Sequence, residues 1–255
     1  MSRADHCFAV MAFGDSPFLG ECLASLRSQA ARILVTTSTP SPAIEAAAAA
    51  VEAPIKVNPI RSGIAGDWNF ALAASGARYV TLAHQDDVYY PRFLGRSLEM
   101  LAAGAGVVFT GYGEIDDHGA PRRSRISFAK HALERALLGG AERPGPRALR
   151  RFLAFGNPLP CSSVTFDLEA IGDFAFSPTW RSNLDWDAWL RLIEAGAIFA
   201  RTPERLVGRR HNALTATSSL IRQGVRGAED LRMFRRMWPS PLAELIALAY
   251  KAGYK

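Results

Sequence analysis

Residues 79–87 read Tyr79-Val80-Thr81-Leu82-Ala83-His84-Gln85-Asp86-Asp87, a short apolar run that ends in a polar turn with two adjacent acids. A strand that is apolar at nearly every position is buried on both faces, as in a parallel sheet covered by helices. In such sheets ligands bind just beyond the carboxyl ends of the strands. Adjacent carboxylates there repel each other and are costly to take out of water. A hard divalent cation, Mg²⁺ or Mn²⁺, offsets both costs. An isolated Asp-Asp pair fits a solvated turn before a helix near Pro91 just as well. The rest of the chain decides between the two.

Working outward, short apolar runs alternate with helical periodicity. Strands are predicted at Cys7–Phe13, Arg32–Thr36, Ile55–Asn58, Tyr79–Ala83 and Val107–Tyr112. Helices are predicted between them, from Pro17 to Gln29, through the Ala-rich stretch to Val51, from Ile64 to Ala74 and from Pro91 to about Ala103. A β-α-β-α rhythm implies a mostly parallel central sheet with right-handed crossovers, flanked by helices and Rossmann-like. After Gly113 the rhythm stops: residues 119–160 are rich in Gly, Pro and Arg and read as loops and short helices. Strand signals return at Ser163–Asp167 and Ile198–Thr202, around a helix at Asp185–Ala195. Two amphipathic helices, Leu220–Trp238 and Pro241–Tyr250, end the pattern. The expected organisation is a single α/β domain over 1–215, its halves dividing near 113, with a helical extension at 216–255 packed on it.

Half of the 255 residues are hydrophobic, enough for a sizeable core, and no apolar run approaches the ~18–20 residues of a membrane span. Cys7, Cys22 and Cys161 lie far apart in apolar segments, which fits neither a disulfide framework nor a zinc site. With no apolar leader at the N-terminus, the expectation is a cytoplasmic protein, with peripheral contact at the inner face of a membrane as an option. The net charge of +6 is uneven. Residues 121–151 hold nine Lys/Arg against two acids, and residues 201–255 hold eleven against four. These basic flanks suit phosphates, anionic headgroups or a solvated surface. Nothing resembles a helix-turn-helix, zinc-finger or RNA-binding motif, so no nucleic-acid partner is expected.

About a hundred residues beyond the acidic pair comes Asn183-Leu184-Asp185-Trp186-Asp187. Asp185 and Asp187 stand at a helix entrance, where the helix dipole favours acids; either also has the chemistry of a general base beside a metal held by the first pair. Arg209-Arg210-His211-Asn212 adds two cations able to hold diphosphate oxygens and an imidazole able to join a metal shell. Asp116-Asp117, followed by His118-Gly119, reads as a turn.

Together these segments resemble the family 2 glycosyltransferases, nucleotide-sugar enzymes with an A-type fold. The similarity runs from Phe8–Gln29 through Gly63-Ile64-Ala65-Gly66-Asp67-Trp68-Asn69 and His84–Pro91 to Asp185-Trp186-Asp187, and covers about Cys7 to Asn212. The resemblance implies a nucleotide half at 1–113 and an acceptor half at 114–215. It implies a metal-dependent, inverting transfer from a nucleotide-diphosphate sugar to a hydroxyl of a glycan or lipid-linked glycan, in polysaccharide or other envelope glycan synthesis. Residues implied on the nucleotide-sugar side are Phe13, Asp15, Thr37, Ser38, Gly63, Asp67, Asn69, Gln85, Asp86 and Arg209. Asp86, Asp87 and His211 are the implied ligands of Mg²⁺ or Mn²⁺, and Asp185 or Asp187 is the implied base. Asn157, Cys161, Ser162 and Trp186 fall on the acceptor side.

The departures from the family pattern are His84, where many relatives carry the first acid, Leu184, in place of a Glu, and Thr36–Thr39, where a base-reading Asp is common. They keep alternatives open: a non-catalytic glycan- or nucleotide-binding module, or a sugar nucleotidyltransferase. The basic C-terminal region is a candidate for peripheral membrane contact.

Overall fold

The computed structural model describes residues 3–122, 125–212 and 216–252. The first half follows the sequence rhythm closely: β1 (His6–Ala12), α1 (Leu19–Arg27), β2 (Arg32–Thr37), α2 (Pro42–Ala49), β3 (Ile55–Val57), α3 (Gly63–Ser75), β4 (Tyr79–His84), a two-residue β5 (Val88–Tyr89) and α4 (Phe93–Ala102). Then come β6 (Val107–Ile115), β7 (Pro121–Arg122), α5 (Arg125–Leu138), α6 (Pro146–Leu153), β8 (Val164–Asp167), α7 (Leu168–Ile171), α8 (Leu184–Glu194), β9 (Phe199–Arg210), α9 (Ala216–Arg222), α10 (Val225–Arg235) and α11 (Ser240–Lys251). The strands form one sheet in the order β3-β2-β1-β4-β8-β6-β9-β5, with β7 paired to the end of β6.

The sheet is parallel through β3-β2-β1-β4, then mixed, because β8 runs antiparallel to both β4 and β6. Two reversals restore the direction, so β6 points the same way as β4, and β9 lies parallel to β6. The carboxyl ends of β1, β2, β4, β6 and β9 therefore share one edge. The reversed β8 brings the turn that precedes it, Cys161–Ser163, to that same edge. All loops that carry candidate chemistry leave or enter the sheet there.

Burial explains the arrangement. The residues of β1 and β4 are almost all inaccessible, with helices on both faces. One core layer packs α1 and α2 against β1 and β2 through Phe8, Val10, Leu23, Leu26 and Ile44. The other gathers α3, α6, α8, α10 and α11 around Phe166, Trp186, Trp189 and Phe234.

Helix α5, 14 residues long, replaces part of the stretch expected as loops and short helices, and two later elements also differ from expectation. The predicted helix Leu220–Trp238 is broken into α9 and α10 at Gly224, whose φ of 74° is open to glycine and strained for other residues. Strand β9 runs on to Arg210, because a bulge opposite Thr110 and Gly111 absorbs Pro203 without ending the pairing. Met233 and Phe234 are fully buried in the core and pack α10 against the rest of the domain. The exposed apolar positions there are Leu242, Leu245 and Leu248 of α11. Among the described residues, no helix is long and apolar enough to cross a membrane.

Candidate active site

Strand β4 ends in a tight turn closed by the Asp87 N–H donating to the His84 carbonyl at 3.1 Å. The turn folds three donor groups together: one ligand atom each of His84, Asp86 and Asp87 lies within 4.8 Å of the others. Burial keeps the His84 imidazole neutral by pushing its pKa down, partly opposed by Asp86, and its Nε2 is buried without a hydrogen-bond partner. Burial and the neighbouring Asp86 push the Asp87 carboxyl up to about 7, although the Arg210 N–H donates to it at 2.9 Å and Ser162 lies beside it. An orphaned neutral imidazole next to two carboxylates, one of them reluctant to ionise, is a donor set that a divalent cation would complete. The residues fit such an ion. His84, which sequence reasoning left out of the ligands, belongs to the group.

His211 is not brought there. Its Nε2 lies 3.2 Å from the buried Glu114 carboxylate and 3.4 Å from Arg209 Nη1. The next residue reaches the turn instead, Asn212 Nδ2 donating to Asp86 Oδ2 at 3.4 Å. Arg210 works as a clamp: Nε donates to the Asp86 carbonyl, Nη1 to the Asp116 carbonyl and Nη2 to Glu21, and its guanidinium lies over Phe18. Asp116 itself closes the β6–β7 turn by accepting from the His118 and Ala120 N–H groups.

The nucleotide-side candidates sort into two sets. Phe13 is 64% exposed at the mouth of the edge, its backbone N–H and C=O both held by the Gln85 side-chain amide at 3.0 Å. Thr37 and Ser38 stand at the end of β2, and Gly63, with φ of 81°, opens α3. Asp15 and Asp67, by contrast, are engaged within the scaffold. Asp15 accepts from Ser41, and Asp67 accepts from Ser38 and from Asn58, which pins the β2 loop to α3. Asn69 exchanges two hydrogen bonds with the backbone of Phe176, in the segment that leads into α8.

Across the edge, the amino end of α8 presents Asp185. Glu229 of α10 accepts from the N–H groups of Arg181, Ser182 and Asn183, and Asp230 accepts from the Asn183 side chain, so α10 fixes the approach to α8. Burial raises the Asp185 pKa, opposed by Arg226, by the Trp186 N–H, by a hydrogen bond from the Asn157 side chain and by His84. Asp187, two residues on, points elsewhere. Its oxygens accept from Arg191 at 2.8 Å and Arg236 at 2.6 Å, tying α8 to α10. Trp186 corrects an expectation: it is 0% exposed, donates to the Leu153 carbonyl and packs edge-on against Phe234, so it is core and cannot touch an acceptor. Cys161 and Ser162 are both buried in the turn before β8; Ser162 lies beside Asp87, on the acidic-turn side, and Asn157 hydrogen-bonds Asp185.

The sequence profile described as "Glycosyl transferase family 2" matches residues 7–164, more than half of the chain. The chain belongs to glycosyl transferase family 2. The matched segment holds the acidic turn, while Asp185 and the α10 residues that position it lie beyond. No curated protein matches the chain. The fold recurs in solved glycosyltransferases at low identity. A mannosyltransferase from Pyrobaculum calidifontis, in complex with GDP-Man and Mn²⁺, superposes with a TM-score of 0.65 at 15% identity over 98% of this chain and 74% of that one. S. aureus TarS, residues 1–349 with UDP-GlcNAc, gives 0.62 at 12% over 95% and 70%. Glucosyl-3-phosphoglycerate synthase from Mycobacterium tuberculosis, with Mn²⁺, UDP and phosphoglyceric acid, gives 0.58 at 17% over 89% and 78%. In this family 2 member the A-type sheet thus sets the acidic turn and the Asp185 carboxylate on one edge.

Proposed function

We propose that the chain is a metal-dependent, inverting glycosyltransferase that moves a sugar from a nucleoside-diphosphate donor to a hydroxyl of a glycan or lipid-linked glycan, in envelope or other polysaccharide synthesis. The observation that carries this reading is the pairing, on one sheet edge, of the His84–Asp86–Asp87 group with a separate carboxylate whose pKa is raised by burial. His84, Asp86 and Asp87 would hold Mg²⁺ or Mn²⁺, which when bound supplies positive charge for the diphosphate leaving group. Arg209, whose charge acts on both His84 and Asp87, adds to that positive field. Phe13 offers an exposed ring face for a nucleobase, with Gln85 holding its backbone. Thr37 and Ser38, at the end of β2, and Gly63, at the start of α3, would complete the donor side.

Asp185 is the base. A carboxyl with a raised pKa takes a proton from an acceptor hydroxyl more readily than an ordinary one, and Asn157 orients it. A base that opposes the leaving group implies direct displacement with inversion. Asp187 serves as the bridge between α8 and α10. The neighbours with bound GDP-Man and Mn²⁺ or with UDP-GlcNAc support a nucleotide-sugar donor. The exposed leucines of α11 support peripheral membrane contact, which flotation with phosphatidylglycerol vesicles would check.

The direct test is a thermal-shift panel of UDP, GDP, dTDP and CDP, each with and without Mn²⁺. A metal-dependent stabilisation by one of them names the donor's base. No shift with any, in a folded sample, would contradict the transferase reading and favour a glycan-binding module.

A further inference from the structure

The His84 imidazole sits in a frame that α3 builds. Its ring lies 5.4 Å from the Trp68 ring, at an interplanar angle of 47°. Trp68 in turn stands edge-on to Phe176, with centroids 4.8 Å apart at 86°. Asn69, the next residue of α3, locks the Phe176 backbone: its Nδ2 donates to the Phe176 carbonyl at 2.9 Å, and its Oδ1 accepts the Phe176 N–H at 2.7 Å. The imidazole thus packs on a large ring that is itself fixed. Within the turn, one ring nitrogen of His84 and one carboxylate oxygen each of Asp86 and Asp87 lie within 4.8 Å of one another. The His84 Nε2 is inaccessible and has no hydrogen-bond partner among the described residues.

The two carboxylates are oriented by donors of their own. Asp87 accepts the Arg210 N–H at 2.9 Å, and Asp86 accepts from Asn212 Nδ2 at 3.4 Å. A carboxylate has about four lone-pair sites, so both acids keep capacity for a cation. The donor set of the turn is therefore two carboxylates and one imidazole. Mg²⁺ takes oxygen ligands in near-ideal octahedral geometry and gives up its waters reluctantly. Imidazole suits first-row transition cations, and mixed carboxylate–imidazole shells hold manganese and iron inside helical bundles. An acid in place of His84 would serve either class of ion, whereas the imidazole serves one. Packing against Trp68 also removes in advance the side-chain freedom that metal binding would otherwise cost.

We propose that His84, positioned by Trp68, sets the ion preference of the acidic turn and makes it a site for Mn²⁺ rather than Mg²⁺. This rests on the transferase reading, in which the turn holds the metal, and narrows the cofactor from divalent cations in general to a first-row transition ion. With a neutral ring where a third acid could stand, the turn attracts any dication less strongly. Mn²⁺ recovers the difference through a bond to nitrogen, and Mg²⁺ does not.

The test is calorimetric titration of Mn²⁺ and of Mg²⁺ into the full chain, saturated with the nucleoside diphosphate that stabilises it, for wild type, His84→Asp and Trp68→Leu. The nucleotide's own preference between the ions is common to all three proteins and cancels in the comparison. The Mn²⁺/Mg²⁺ affinity ratio should fall about tenfold from wild type to His84→Asp, the lower end of what a disturbed ligand shell costs a metal site. Trp68→Leu should weaken Mn²⁺ binding and leave Mg²⁺ binding nearly unchanged, a split that general loosening of the fold would not produce. Pulsed EPR of Mn²⁺ bound to wild type labelled with ¹⁵N-histidine should show coupling to ¹⁵N, and this readout needs no variant. The same affinity ratio in wild type and His84→Asp, or bound Mn²⁺ without ¹⁵N coupling, would overturn the role of His84 and leave the transferase reading intact. Equal weakening of both ions in Trp68→Leu would overturn the positioning role of Trp68. If neither ion bound the nucleotide complex of wild type, the transferase reading itself would fail, whatever residue stands at position 84.

Discussion

The His84–Asp86–Asp87 group hangs from a single turn of a strand paired on both sides, whereas Asp185 is set by four separate segments: α8 that carries it, α10 that caps its approach through Glu229, the 156–158 segment that supplies Asn157, and α11 that buttresses Arg226 through Tyr250. The first is local geometry, fixed once β4 pairs with β1. The second is long-range geometry that exists only when the C-terminal helices are docked. A site built this way should lose its metal chemistry through substitutions in one turn and its base chemistry through substitutions scattered across the second half.

The largest expected difference lies between two acids of one helix. Asp185→Ala should cut transfer by about 10²–10⁴, the usual worth of a general base, with nucleotide binding retained. Asp187→Asn should instead weaken its bridge to Arg191 and Arg236 and cost about 1–3 kcal/mol of stability, with transfer by the folded fraction within a few-fold of wild type. Steady-state rates and urea midpoints on both variants check this. The opposite pattern would make Asp187 the base.

Acid stability should report on the β4 side. His6 Nε2 lies 3.0 Å from Thr81, which lies 2.8 Å from Thr165, a polar line across β1, β4 and β8. Burial holds the His6 pKa down to about 3. Between about pH 6.5 and that value the unfolded chain takes up a proton that the folded chain refuses. The contribution is therefore complete above about 6.5 and is lost as pH falls through the window, a few kcal/mol in all. Urea midpoints from pH 7 to pH 4 should decline more steeply in wild type than in His6→Gln. Parallel declines would show that His6 is not the acid-sensitive group.

A smaller effect belongs to the other side. A Cβ on Gly156 would lie 2.4 Å from the Tyr250 ring, at a φ of 131°. Gly156→Ala should cost about 1–3 kcal/mol and displace Tyr250, lowering transfer while leaving metal-dependent nucleotide binding in the folded protein unchanged. Loss of both functions together would show that the two sides are not separable.

The same contrast explains what could be read beforehand. The parallel strands were legible because Tyr79–Ala83 and its neighbours are apolar on both faces, and the place of Asp86 at the sheet edge because it follows such a strand. Asp185 and Asp187 could not be separated, since spacing at a helix start does not say which side chain meets Arg236, 49 residues away. Trp186 carries a residue type suited to a site but turns into a core contact made by a distant segment. His84 was the reverse, a departure from the family pattern that lies with the acids. The available signal was its place on the last residue of β4, in the same turn as both carboxylates.

The most direct measurement is a calorimetric titration of the stabilising nucleoside diphosphate, with and without Mn²⁺, into wild type, Asp86→Ala and Asp185→Ala. Mn²⁺ should tighten binding in wild type and in Asp185→Ala, and should do nothing in Asp86→Ala. An Asp86→Ala protein that gains as much from Mn²⁺ as wild type would contradict the assignment of the acidic turn as the metal-binding side of the site.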